Sequence, residues 1–333
     1  MIIWVSFIVL VVTLLLLDLF VLHRKEEVLT IRQAFLWTLF WIAVALMFNV
    51  MIYFLYEQNW LGWTDSEWHN LTGQEAAIQF FTGYVIEKSL SVDNIFVIAL
   101  IFTYFAIPIQ NQRRVLFWGI FGAVVLRGIM IALGTVLLKR FEWLEYVFGA
   151  LLLFSASKML FMREGELEPE KSFAVRMVRR FYPVAPHFDG HRFFTLVDGK
   201  KAATRLFLAL VLVETSDVIF AIDSIPAVFA VTKDPFIVFT SNIFAILGLR
   251  ALYFAVAGML VRFRYLRTAL VVLLAFVGTK MLLGHYIHIS NVISLAIILT
   301  ILMVGVVASI ASNRGRVNRE LQNESPQEPG EPS

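Results

Sequence analysis

The chain has 333 residues and not one cysteine. Disulfides, thiolate metal sites and thiol redox chemistry are therefore excluded in it. Charge is also scarce: Asp, Glu, Lys and Arg make up 16% of the residues, against about 25% in a soluble domain. No HExxH metalloprotease motif occurs, and the many Phe and Trp residues form no cofactor box. The apolar–polar alternation of a membrane β-barrel is missing as well. The first apolar stretch lacks a basic n-region and a small-residue cleavage site, so it reads as a span and not as a cleaved signal peptide.

What is present is apolar sequence. Hydrophobic residues make up 59% of the chain and its mean hydropathy is +0.77. A soluble core cannot hide that much apolar surface, whereas a bilayer removes the need to hide it. Nine stretches have the length of a membrane helix: 2–22, 33–55, 76–106, 115–138, 144–162, 204–230, 237–261, 268–284 and 289–311. The chain thus reads as all-α, a polytopic transmembrane helical bundle of about nine spans.

Loop charge sets the expected orientation. Arg24, Lys25 and Arg32 follow the first span, Arg113 and Arg114 the third, and Arg314, Arg316 and Arg319 the ninth. Arg262, Arg264 and Arg267 follow the seventh, and 163–203 carries eight Lys and Arg. The segment 56–75 has none of either, and the same side otherwise holds only Lys139, Arg140 and Lys233. The N-terminus is expected outside and the C-terminus in the cytoplasm.

Three strings recur in the same order and at nearly the same spacing. Asp93-Asn94-Ile95-Phe96 matches Asp217-Val218-Ile219-Phe220, and Ile120-Phe121 through Arg127 matches Ile243-Phe244 through Arg250. Lys158-Met159-Leu160 matches Lys280-Met281-Leu282. Each copy holds three spans, an odd number, so the second copy must start on the opposite side of the membrane. Inverted repeats of this kind occur in secondary transporters, with the substrate site near the midplane where the copies meet. The expected organisation is two additional spans (1–75), inverted repeat one (76–162), a basic cytoplasmic loop (163–203), inverted repeat two (204–284), a final span (285–312) and a disordered cytoplasmic tail (313–333).

The first helices of the two copies hold five carboxylates: Glu87 and Asp93, then Glu214, Asp217 and Asp223. A charge at mid-membrane costs about 2.5–3.5 kcal/mol on insertion scales, so five cost roughly 12–18 kcal/mol if unpaired. They must be paired, protonated, hydrated or holding a cation. Ser91, Asn94, Ser216 and Ser224 lie beside them as supporting polar groups. Carboxylate, hydroxyl and amide oxygens suit hard divalent cations such as Mg²⁺, Ca²⁺ or Mn²⁺ better than Zn²⁺ or copper. Arg127 and Arg250, well inside their spans, are the candidates for ion pairing or gating. Glu214 and Asp217 share a helix face, whereas Asp223 falls on the other side. Pro226 cannot donate to the carbonyl of Ile222, so the helix is expected to distort there and turn Asp223 inward. His285 and His288 read as an exposed turn near a span end rather than a metal site.

The strings IEKSLSVDNIFV and VETSDVIFAIDSIPAVFAVTKDPFIVFTSNIFAILGLRALYF closely resemble the TerC/Alx family of bacterial membrane proteins, the Alx branch above all. That family is grouped with the LysE-type transporters and is linked to tellurium resistance, alkaline response and manganese export. The resemblance implies a bacterial inner-membrane protein of metal homeostasis. Its acidic positions fall on Glu87, Asp93, Glu214, Asp217 and Asp223. Some members are labelled redox modulators, a label the lack of cysteine argues against here. The expected function is secondary transport, exporting a divalent cation with Mn²⁺ foremost. The metal is then cargo, with no permanently bound cofactor, no enzymatic activity and no nucleic-acid partner. The alternative is a non-transporting membrane factor that serves tellurite or alkaline resistance.

Overall fold

The structure, a computed structural model, describes residues 2–22, 30–65, 69–141, 143–161, 172–185, 189–197, 199–256, 265–284, 286–287 and 289–323. His285 and His288 lie outside the described residues, as do 257–264, 324–333 and the first part of the basic loop.

Helices occupy all nine apolar stretches. They are α1 (Ile2–Leu22), α2 (Ile31–Glu57), α3 (Gly73–Tyr104), α4 (Ile109–Arg140) and α5 (Leu144–Phe161), then, after α6 (Phe173–Phe181), α7 (Arg205–Phe229), α8 (Pro235–Ile246), α9 (Leu249–Val256), α10 (Leu266–Leu283) and α11 (Asn291–Asn323). Among the described residues, six helices are long and apolar enough to cross a membrane, with Pro235–Ala255 counted as one. α3 and α7 have the length, at 32 and 25 residues. Their charges are what keep them out of that set.

Local chemistry fixes where these helices begin. Thr30 and Thr72 each close a capping box, with Gln33 and Glu75 respectively. Asp234 accepts from the amides of Phe236 and Ile237, and Pro235 follows it at a first-turn position where a missing N–H costs nothing. The Thr72 cap starts α3 three residues before its apolar stretch.

Three expectations need correction. The connection 163–203 is not merely a loop. It holds α6 and a hairpin of β1 (Phe194–Val197) and β2 (Lys200–Ala203), paired antiparallel. The Asp-Gly dipeptide between the two runs was the sequence signal for that turn. The tail is not disordered from 313, because α11 continues to Asn323. The residues there are mostly tolerant of helix, and the first proline comes only at Pro326. Finally, α7 runs unbroken through Pro226. The interruption falls instead between α8 and α9, where Gly248 takes φ +78°.

The helices of the two predicted copies pack on their counterparts: α3 on α7, α4 on α8 and α9, and α5 on α10. At the last of these crossings Gly149 and Gly278 face each other. A Cβ on Gly278 would sit 3.0 Å from the Gly149 carbonyl oxygen and 3.0 Å from Leu152 Cβ. Small residues let membrane helices approach this closely, and close packing is what holds them together in lipid. Gly278→Val is expected to cost about 1–3 kcal/mol through overpacking, read as a lowered thermal midpoint of the purified protein in detergent.

Candidate functional site

Arg127 on α4 is 2% exposed and is the hub of the buried charge. Its Nη1 donates to Glu87 of α3. Its Nε and Nη2 donate to the two carboxylate oxygens of Asp217 on α7, at 3.2 and 2.9 Å. That two-pronged contact is the strong geometry for guanidinium and carboxylate. Nη1 also reaches Asn242 Oδ1 on α8 at 2.9 Å and Ser224 Oγ at 3.4 Å. Asn94 Nδ2 adds a bond to Asp217 Oδ1 at 3.1 Å. One cation thus ties together α3, α4, α7 and α8.

The network leaves oxygens over. Glu87 Oε2, Ser91 Oγ and Asn94 Oδ1 are buried without a hydrogen-bond partner. Spaced at i, i+4 and i+7, they form one stripe along α3. Asn94 and Asp217 also line a cavity of about 20 Å³ whose other walls are apolar, including Gly119 and Ala123 of α4. That is enough room for one water or one small ion.

The remaining predicted residues stand apart from this hub. Glu214 shares the Asp217 face of α7, as its spacing predicts, and packs on α4 at Gly122. A side chain at 122 would displace the carboxylate. Its Oε2 is likewise buried without a partner. Asp223 turns to α5, where Ser155 Oγ donates to it at 2.6 Å. Asp93, six residues beyond Glu87, lies about 240° around the helix and is half-buried. Ser216 is half-buried too. Arg250 pairs with Asp18 of α1 at 3.3 Å, and among the described residues with none of the five predicted acids. Among the described residues, no three of His, Asp and Glu come close enough to hold one metal ion. The acids are therefore not gathered in a single shell: Arg127 stands between Glu87 and Asp217.

Sequence reasoning passed over Asn242 and Ser155, and it marked Lys88 as an ionisable residue of its helix without giving it a role. Asn242, an amide within the apolar run of α8, was the one with a readable signal. Lys88 donates to the carbonyls of Ala245 and Leu247, at 3.1 and 3.5 Å. Its ammonium thus serves backbone oxygens at the α8–α9 break, which no pairing rule for side chains would find.

At one end of the bundle a cavity of about 1100 Å³ gathers the starts of α3, α5 and α8 and the ends of α4, α7 and α10. Thr135, Phe229, Lys233 and Asp234 line it, and Lys233 bridges to Glu145 across it. Beside it Asp234 accepts from Tyr56 at 2.6 Å and lies 2.8 Å from His69 Nδ1. Between cavity and Arg127, along α4 and α7, lie Ile131, Ile225, Val228 and Phe229, which pack together. The Phe229 ring sits where a Cβ on Gly134 would be, at 2.8 Å. Apolar side chains therefore separate the wide cavity from the charged hub.

The chain matches, over residues 72–317, the family described as "Integral membrane protein TerC family". It is 47% identical to "Uncharacterized membrane protein STKORF319" of Myxococcus xanthus, over 93% of this chain and 92% of that one. It is 44% identical to "Putative membrane-bound redox modulator Alx" of Escherichia coli (strain K12), over 90% and 91%. An "Uncharacterized membrane protein" of Rickettsia felis is 40% identical over 92% and 97%. No solved structure matches.

Proposed function

This chain belongs to the TerC family of integral membrane proteins, and on that footing we propose that it is a secondary transporter exporting a divalent metal cation, with Mn²⁺ as the leading substrate. The observation that carries this reading is the buried hub in which Glu87, Asp217, Ser224 and Asn242 all turn oxygens to one guanidinium, with Asn94 donating to Asp217 beside them. That set is hard and oxygen-only, the donor chemistry of Mn²⁺, Mg²⁺ and Ca²⁺. When Arg127 withdraws, two carboxylates and neutral oxygens are left around a space that a divalent ion neutralises. The unpartnered stripe of Glu87, Ser91 and Asn94 extends the same chemistry along α3. Glu214, Asp93 and Asp223 then serve the route to and from the hub, and the large cavity is its mouth.

The finer topology belongs to this proposal: nine spans, two inverted repeats, the bacterial inner membrane, the N-terminus outside and the C-terminus in the cytoplasm. The cavity mouth then opens outward. The metal is substrate, with no resident cofactor, no nucleic-acid partner and no enzymatic step. The redox name of the Escherichia coli relative is not carried over, since a chain without cysteine has no thiol–disulfide chemistry.

One observation favours a second reading. Arg127 pairs with both Glu87 and Asp217, as a purely structural network would, and a non-transporting factor in tellurite or alkaline resistance needs no more. The two readings part in a liposome assay. Purified protein reconstituted in liposomes should move Mn²⁺ across the bilayer, and Asp217→Asn should lower the rate at least tenfold, with Asp93→Asn also impaired. Cells carrying either variant should lose manganese tolerance. No Mn²⁺ flux from folded protein, together with unchanged tolerance in both variants, rejects transport.

A further inference from the structure

The basic connection between the two predicted copies contains a helix with three distinct sides. α6 reads FAVRMVRRF. Val175 is fully buried and Val178 partly so, both against the cluster that holds Leu206, Ala209 and Leu212 of α7. On a helical wheel the protein-facing residues Ala174, Val175 and Val178 span about 100–200° from Phe173. Phe173, Met177 and Phe181 occupy the sector from 0 to about 80°. All three are exposed, at 75, 51 and 66%. Arg179, Arg176 and Arg180 fill the sector from about 240 to 340°, and all three are exposed.

A soluble surface has no use for an apolar stripe beside a basic one on a helix already anchored along its third side. A membrane surface accounts for both. The buried side of α6 packs on α7, in the cluster that holds Leu206, Leu208, Ala209 and Leu212 of its first two turns, next to the charged connection and so at the expected edge of the apolar layer. A helix lying there in the plane of the interface can sink apolar side chains toward the acyl region. Its arginines then stay at headgroup level. The adjoining hairpin adds Lys200 and Lys201, both exposed. A mixed apolar and cationic face fits an anionic phospholipid better than a zwitterionic one.

We propose that α6 is an interfacial helix that binds anionic phospholipid, with Phe173, Met177 and Phe181 inserted at the acyl boundary and Arg176 and Arg180 on the lipid phosphates. The claim does not depend on the transport reading, since it concerns a surface remote from Arg127. It makes the basic connection a lipid-anchored strut between the two halves of the bundle.

The absence of cysteine makes the test direct, because Met177→Cys creates a single labelling position. A nitroxide there is expected to be more accessible to oxygen than to a water-soluble paramagnetic complex, in the full-length protein reconstituted in phosphatidylcholine with phosphatidylglycerol. Competition between brominated phosphatidylglycerol and brominated phosphatidylcholine, read by quenching of a fluorophore at the same position, should favour the anionic lipid. R176Q/R180Q should cut that preference roughly thirtyfold. The doubly substituted protein should keep its elution profile in detergent, because both side chains are exposed. A water-exposed label overturns the proposal, as does a label shielded from both probes, which means a protein partner or second copy covers the face. A lipid preference unchanged in the double variant overturns it too.

Discussion

Replacing Arg127 with glutamine should cost the folded protein about 3–5 kcal/mol, the usual penalty for removing one partner from a buried ion pair. Glu87 and Asp217, 1 and 8% exposed at their side chains, would face each other with no cation between them. That loss is comparable to the whole stability of a small domain, so the variant is expected to melt early in detergent. If the hub is an ion site, Mn²⁺ should then rescue it. A ligand at about 100 times its dissociation constant returns about 2.7 kcal/mol. Thermal unfolding with and without Mn²⁺ reads this directly: a rise in midpoint of Arg127→Gln well beyond that of the unmodified protein. A variant destabilised yet indifferent to Mn²⁺, Mg²⁺ and Ca²⁺ would mark the hub as a structural ion pair only. The neutral triple variant, Glu87→Gln with Asp217→Asn and Arg127→Gln, supplies the control. It should recover part of the stability, because no charge is left uncompensated, while losing both the Mn²⁺ response and transport.

The second large effect is expected at Gly248. Its φ of +78° costs an L-residue about 1–2 kcal/mol. A Cβ there would lie 2.6 Å from Trp41 Cβ, Cγ and Cδ1. One of the three is Trp41's own Cβ, so no shortening of the indole relieves the clash and α2 must move. With overpacking at about 1–3 kcal/mol, Gly248→Ala should lose roughly 2–5 kcal/mol. Gly284→Ala is the contrast. Its φ is −56° and a Cβ there meets only two carbonyls at 3.4 Å, so its unfolding midpoint should barely shift. Gly248 also sets the α8–α9 break from which Lys88 takes its carbonyl partners. The Gly248 variant should therefore disturb α3 as well, and hydrogen exchange across 85–95 would report it.

Much of this was legible in the sequence for a simple reason. The preference of a residue for lipid or water is its own property, and summed over about 20 residues it marks a span whatever the neighbours are. The same holds for caps, which depend on residues three apart: Thr72 with Glu75 announces the start of α3 without any tertiary information. The cost of a buried charge is likewise local, so Glu87, Asp217 and Arg127 were marked as residues that need a partner.

What the sequence by itself determined, then, is that acids and arginines lie inside an apolar bundle and that Glu214 shares a face with Asp217. Which partner each charge takes was decided only in three dimensions. Arg127 and Arg250 occupy matching positions in the two strings, yet one holds Glu87 and Asp217 and the other Asp18 of an added N-terminal helix. Pairing is a through-space choice among groups 40 to 232 residues apart. It is set by how helices cross, and no periodicity encodes that. Proline and glycine tell the same story. Pro226 was a readable breaker, but packing on every side keeps α7 helical around it, while the break went to Gly248, where Trp41 leaves room for nothing larger.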